Sequence, residues 1–186
     1  MGTLAAGLTL FFGVHLLPSW PQARHALQAR WGEGPYKGAF SLVSITALYL
    51  IIIGKARAPY VHVFVPPAWG RHAAMSLMLA ATVLWTAMFL PTNLKRWTAH
   101  PMLWGFTFWA SAHLLANGDG ASVALFGSFL TFALFDMWSA NHRGSLPRGA
   151  RLPFARDLVL LLAALLLYAA LLFIHPYAFG AAVLRG

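Results

Sequence analysis

The sequence predicts an all-α integral membrane protein with about six transmembrane helices. Of its 186 residues, 60% are hydrophobic and only 9% are charged, and the mean hydropathy is +0.67. A soluble domain usually carries about 25% charged residues, because it covers its surface with them. Lipid is therefore expected to be the main solvent of this chain. Its length and even composition predict a single domain, residues 1–186.

Six segments qualify as spanning helices, since a span needs about 20 mainly apolar residues. They run approximately over Thr3–Trp20, Ala39–Gly54, His72–Leu90, Pro101–Ala116, Ala121–Ser139 and Asp157–Phe179. The fourth and fifth segments are joined by Asn117-Gly118-Asp119-Gly120. Because Gly and Asn tolerate positive φ, we expect a tight turn there between two antiparallel neighbours.

The basic residues lie in short loops, which indicates membrane topology rather than nucleic-acid binding. Nine of them fall in the first, third and fifth loops, namely Arg24, Arg30, Lys37, Lys95, Arg96, Arg143, Arg148, Arg151 and Arg156. The second loop and the C-terminal tail hold four, namely Lys55, Arg57, Arg71 and Arg185. The positive-inside rule then places the odd loops in the cytoplasm and both termini outside.

The chain has no cysteine, which excludes disulfides, thiolate iron–sulfur ligation and c-type haem attachment. Chemistry is therefore expected from histidines and acids inside the spans, where polar groups are costly and usually functional. His113 is the strongest candidate, with Trp109 one turn before it and Asn117 one turn after it on the same helix face. Small residues surround it, as in helical bundles that hold haem through an axial histidine.

His15 is the second candidate for such a ligand, but its depth differs from that of His113. Counted at about 1.5 Å per residue, the two lie roughly 10 Å apart along the membrane normal. His100 lies 13 residues before His113, roughly 20 Å nearer the cytoplasm, and competes as partner to His15. A metal cluster of His62, His72, His113 and His175 stays open as a weaker alternative without HxxxH or HxH spacing.

Two acids also fall at or inside the predicted spans. Asp136 needs a cation, and Arg143 is two turns further on the same helix. Asp157, at the start of the sixth span, is expected to complement the helix dipole. No Ser-His-Asp order, P-loop or paired carboxylate indicates hydrolysis or phosphoryl transfer.

Three stretches resemble the NnrU family of bacterial membrane proteins. They are HLLPSWPQARHALQARWGEGPYKGAFSLVS, ARAPYVHVFVPPAWGRHAAMSLML and AHPMLWGFTFWASAHLLANGDGASVALFGSF, and the resemblance covers nearly the whole chain. The family is associated by name with nitrite and nitric oxide reduction. It is also similar to the plant 15-cis-ζ-carotene isomerases, which carry haem b between two histidines.

The resemblance implies haem b as cofactor, with the two isomerase ligands falling on His15 and His113. His100 matches the family's Arg-His-Pro motif, although Ala99 replaces the arginine here. Where the isomerases have a histidine pair on the fifth helix, this chain reads Thr131-Phe132-Ala133. The resemblance therefore implies isomerase activity less strongly than it implies haem binding. A more distant resemblance is to isoprenylcysteine methyltransferases, which have a similar His-Pro turn, but their acidic C-terminal motif is absent.

These observations leave two functions open for a multi-pass protein of the bacterial inner membrane. One is a haem enzyme that reduces or isomerises a small apolar substrate. The other is a non-enzymatic factor that supports a respiratory or denitrification complex through contacts with other membrane subunits. A membrane methyltransferase ranks third.

The charge distribution yields a topology test. Reporter fusions at Gly144 and at Gly186 are expected to give opposite signals, with Gly144 in the cytoplasm, because nine of the 13 basic residues lie in the odd loops. Matching signals at the two positions would mean five or seven spans in all, or a predicted helix that does not cross the membrane.

Overall fold

The computed structural model describes residues 1–147 and 149–180, and within these ranges it is helical without a strand longer than a single bridge. Seven α-helices form it: α1 Gly2–His15, α2 Pro21–Trp31, α3 Glu33–Ala56, α4 Gly70–Phe89, α5 Pro101–Ala116, α6 Gly120–His142 and α7 Ala155–Phe179. Two short 3-10 turns, Leu17–Ser19 and Asn93–Arg96, connect them at one end.

Five segments among the described residues are long and apolar enough to cross a membrane: Gly2–Ser19, α3, α4, α6 and α7. The remaining predicted span, α5, has the predicted bounds, but its 16 residues rise only about 24 Å. It packs against both α4 and α6, which makes it the central helix of the second half of the chain. The all-helical membrane architecture is confirmed.

The N-terminal third differs from the prediction. The first apolar segment ends as an α-helix at His15 and continues into a 3-10 turn that contains Pro18. The first loop forms α2, which starts with Pro21 at a position where a missing N–H costs nothing and has no buried residue. The next span, α3, begins at Glu33 rather than Ala39, and its first turn carries an exposed Glu33–Lys37 ion pair of 2.7 Å.

Close backbone approach at glycines joins α1 to α3. A Cβ on Gly7 would lie 2.8 Å from the backbone nitrogen of Ile51, and a Cβ on Gly54 would overlap the backbone of Leu4. Helices in membranes associate largely by packing, so small residues at a contact bring more atoms together. Leu4 and Ile51 are correspondingly among the most buried residues.

The α5–α6 turn is covered by the loop before α4. The N–H groups of Val63 and Phe64 donate to the Gly118 carbonyl at 2.9 and 3.2 Å, and a Cβ on Gly118 would overlap the Phe64 carbonyl. The predicted turn between antiparallel neighbours is confirmed, but its reason was wrong. Gly118 is required for this close approach and does not have positive φ.

Asp119 connects α6 to α3 at this end of the bundle. Its carboxylate caps α6 by accepting from the backbone N–H of Ser122 at 2.9 Å, and it accepts from Lys55 Nζ of α3, also at 2.9 Å. Burial raises the pKa of Asp119, but hydrogen bonds from Ser122 and Lys55 outweigh this and lower it to about 2.

At the other end, Asp157 does more than complement the dipole of α7. It accepts from Thr92 Oγ1 at 2.8 Å, from the backbone N–H of Asn93 at 2.9 Å and from Asn93 Nδ2 at 2.7 Å. The carboxylate therefore ties the start of α7 to the turn that follows α4. The dipole expectation was incomplete because this turn lies 64 residues away along the chain.

The lowered pKa of Asp119 predicts a pH-dependent stability. An acid with a depressed pKa stabilises the fold above its unfolded pKa of about 3.9 and loses this contribution as pH falls towards about 2. Asp119→Asn keeps a capping oxygen but removes the charge, so the variant is expected to have a lower free energy of unfolding than wild type. This difference should be constant near neutral pH and should shrink below about pH 4. Thermal unfolding in detergent between pH 2 and 7 measures this difference. A deficit independent of pH would show that the ion pair contributes nothing.

Candidate functional site

His113 lies on α5 as a half-buried imidazole with one nitrogen already engaged. Its Nδ1 is 2.8 Å from the carbonyl oxygen of Trp109, and the Asn117 amide donates to the His113 carbonyl at 2.8 Å. The predicted alignment of these three residues along one helix face is confirmed. A carbonyl oxygen can only accept a hydrogen bond, so Nδ1 must carry the proton. The other ring nitrogen of neutral His113, Nε2, is then unprotonated and has a free electron pair.

His15 has the same local arrangement at the C-terminal end of α1. Its Nδ1 lies 2.7 Å from the carbonyl oxygen of Phe11, and its ring stacks on that of Phe11 at 3.9 Å. By the same reasoning His15 presents Nε2 as a potential metal ligand. Each of the two predicted residues is therefore individually suited to bind a metal.

The two imidazoles lie at different depths, and their contacts with residues along α6 show how large the difference is. The His15 ring is 6.3 Å from that of Phe132, whereas the His113 ring stacks on Phe126 at 4.4 Å. These phenylalanines are six residues apart on one helix, which corresponds to about 9 Å along its axis. The structure thus agrees with the depth difference expected from the sequence.

Phe129 occupies the level between the two histidines. Its ring is 5.3 Å from Phe11, which stacks on His15, and 5.3 Å from Trp109, which contacts His113 at 5.2 Å. Metal–imidazole bonds are about 2 Å long, so two ligands of one metal bring their nitrogens to about 4 Å. In this arrangement the Phe129 ring lies at the level between the two imidazoles, which would have to approach each other to share one iron.

A different histidine is the neighbour of His113. The ring centroid of His175, on α7, lies 6.4 Å from that of His113, with 29° between the ring planes. Both histidines line a cavity of about 270 Å³ between α4, α5 and α7. Its other lining residues include two methionines and three polar side chains, namely Met75, Met78, Arg71, Asn117 and Tyr168.

His100 lies in a separate region. It precedes α5, and its Nε2 is 2.8 Å from Asn141 Oδ1, so the nitrogen that is free in His113 is engaged here. A larger cavity of about 630 Å³ is lined by His100, Lys95 and Asp136. His15 lines neither of these two cavities.

Asp136 is paired as the sequence predicts. Arg143 Nη2 lies 3.8 Å from its Oδ1, and the same oxygen accepts from Ser19 Oγ at 2.9 Å. The guanidinium of Arg143 also donates to Ser139. Asp136 therefore joins α6 to the turn after α1, and it is partly neutralised by its cation.

The outer histidine cluster is not formed. Among residues 1–147 and 149–180, no three His, Asp or Glu side chains come together as a metal site. His62 belongs to a backbone bridge with Asp119, and His72 is exposed near the start of α4. Of the four histidines considered, His113 and His175 line a common cavity.

Two structural features of this region could not be predicted from the sequence. His175 was ranked low because no sequence spacing connects it to His113, and Phe129 received no role because one phenylalanine among 14 carries no signal. Their importance depends on how α6 and α7 are rotated against α5, which only packing decides.

The family model described as NnrU protein matches residues 3–183. No curated protein and no solved structure matches it.

The aromatic layer yields a stability prediction. Phe129 is only 7% exposed and contacts rings from α1 and α5, so Phe129→Ala is expected to cost about 3–5 kcal/mol through lost contacts and a cavity. Phe135→Ala, on the same helix but 41% exposed, is the matched control and should cost much less. Unfolding in detergent compares the two variants. Equal losses would contradict a central packing role for Phe129.

Proposed function

This chain belongs to the NnrU family, and from that premise we propose that it is a multi-pass protein of the bacterial inner membrane that binds haem b through His113 in support of nitrite or nitric oxide reduction. The lipid bilayer is its first partner, as its five long apolar segments require. Other respiratory or denitrification subunits are the protein partners that such a role implies.

The observation that carries the proposal is the fixed tautomer of His113. Its Nδ1 donates to the Trp109 carbonyl, which orients the ring and leaves Nε2 for a metal. Metal-ligating histidines usually have their second nitrogen held in this way. Nε2 of a half-buried imidazole beside a cavity is the chemistry that an axial position requires.

A supporting or electron-transferring role is favoured over isomerisation. Bound haem supplies one-electron chemistry, and the residues of this chain would hold it and exclude water. No carboxylate appears among the residues that line the His113 cavity. Where the isomerases have a histidine pair, Phe132 packs its ring 5.1 Å from Phe12, so that position offers no second imidazole.

A methyltransferase role has less support. The only acid between His142 and Gly186 is Asp157, and its oxygens are engaged by Thr92 and Asn93. The cavity beside His100 remains the place where such a donor would bind. Among the described residues, Asp136 is the one acid that lines it, and Arg143 and Ser19 engage its carboxylate.

The test is the visible spectrum of protein purified from haem-replete cells. Wild type is expected to show a Soret band, and His113→Ala is expected to lose haem or to change from six to five coordination, because an axial ligand is removed. Adding free imidazole should restore six coordination if haem is retained. His25→Ala, an exposed histidine on α2, is the control and should leave the spectrum unchanged.

Two outcomes would contradict the proposal. Wild-type protein without a Soret band would reject haem binding, and an unchanged spectrum in His113→Ala would reject this residue as ligand. Six coordination in both oxidation states would favour electron transfer, whereas loss of a ligand on reduction would favour catalysis at iron.

A further inference from the structure

We infer that the cavity beside His100 binds the headgroup of a zwitterionic phospholipid, with the phosphate on Lys95 and the ammonium group on Asp136. The cavity has a volume of about 630 Å³, within the range of about 300 to 1,000 Å³ that is usual for small-molecule sites. It lies where α5 begins and α6 ends, at the end of the bundle opposite Asp119. The inference is independent of the haem proposal, because His113 does not line this cavity.

Lys95 supplies a positive charge with unused hydrogen-bond donors. Within the part of the chain that the structure describes, its Nζ donates one hydrogen bond, to the Met88 carbonyl at 3.1 Å. An ammonium group has three N–H donors, so two remain for a ligand. The Lys95 side chain is half-buried, and a charge-assisted hydrogen bond is stronger there than in water. Phosphate oxygens are acceptors that lysines commonly bind.

Asp136 supplies a carboxylate to the same cavity. Ser19 Oγ and Arg143 Nη2 both approach its Oδ1, at 2.9 and 3.8 Å. Among residues 1–147 and 149–180, no hydrogen bond or ion pair is found at Oδ2, which can therefore accept from a ligand. A carboxylate repels a headgroup that carries only negative charge, whereas it attracts an ammonium group. A cavity lined by one cation and one anion is thus complementary to a zwitterion.

The cavity lies at the level of lipid headgroups. Ser19, which donates to Asp136, is the last residue of the first membrane-spanning segment. Trp97 and Trp138 are 84% and 57% exposed at this end, as expected for tryptophans at a membrane–water interface. The apolar part of the cavity wall is formed by Met88, Pro101, Met102, Leu103 and Leu146. An amphiphile with a charged head and apolar chains therefore fits this position better than a soluble zwitterion.

Binding of short-chain phospholipids to the full-length, delipidated protein tests the inference. The probes are dihexanoyl phosphatidylethanolamine, phosphatidylglycerol and phosphatidylcholine, and native mass spectrometry in detergent measures their dissociation constants. Wild type is expected to bind phosphatidylethanolamine about tenfold more tightly than the other two. The reason is that only its headgroup combines a phosphate with N–H donors for Asp136.

Two pairs of variants locate the contacts. Lys95→Met should weaken binding of all three lipids about tenfold, because it removes the phosphate contact. Lys37→Met, at an exposed lysine paired with Glu33, is the matched control and should not. Asp136→Asn should abolish the preference for ethanolamine over glycerol. Ser19→Ala breaks the hydrogen bond to Asp136 but leaves the carboxylate, so in this control the preference should persist.

Three outcomes would overturn the inference. If phosphatidylglycerol binds wild type as tightly as phosphatidylethanolamine does, Asp136 does not contact the headgroup. If Lys95→Met and Lys37→Met behave alike, the phosphate does not bind in this cavity. If soluble O-phosphoethanolamine binds as tightly as the lipid, the ligand is a soluble zwitterion and the lipid assignment is wrong. Wild-type selectivity and the lysine pair decide the question even if Asp136→Asn does not fold.

Discussion

Three helices of this protein meet around the ring of Phe129, and the positions of its histidines depend on that contact. Inside a membrane the hydrophobic effect does not drive helices together, so association depends on packing and on a few polar bonds. Phe129 of α6 contacts Phe11 and Phe12 of α1 and Trp109 of α5, at centroid distances of 5.1 to 5.3 Å. With this ring in place, His15 and His113 face separate surroundings.

Polar bonds confine the acids to the ends of the bundle. The chain has only four acids, and three of them connect segments that are distant in sequence: Asp119 to Lys55, Asp136 to Ser19, and Asp157 to Asn93. An unpaired carboxylate in hydrocarbon is costly, so each of these three acids lies where a donor from another segment reaches it. The helix surfaces between these ends are left to apolar, aromatic and imidazole side chains.

Much of this architecture could be predicted from the sequence. Apolar runs predicted α4, α5 and α7 to within two residues at each end, because hydropathy reports the environment of a whole segment. It missed α2, because a polar helix with no buried residue has no apolar stripe to reveal it. The contacts of His113 with Trp109 and Asn117 were also predictable, since residues four apart on one helix are local neighbours.

The neighbour of His113 on α7 was not identifiable in this way. The resemblance to the isomerases indicates His15 as the second ligand. Counting the rise per residue along the helices, however, already places His15 and His113 at different depths. That His175 lies beside His113 depends on the rotation and depth of α7 relative to α5, which the 61 residues between these histidines do not encode locally. Tertiary packing decides such pairs, so a sequence reading is least reliable where a site is shared between distant helices.

The most direct measurement of the central claim is an experimental structure of the haem-replete protein in lipid nanodiscs. The account predicts macrocycle density beside α5, with iron on Nε2 of His113 and the Phe129 ring still packed between Phe11 and Trp109. Iron between His15 and His113, with Phe129 displaced from that interval, would contradict it.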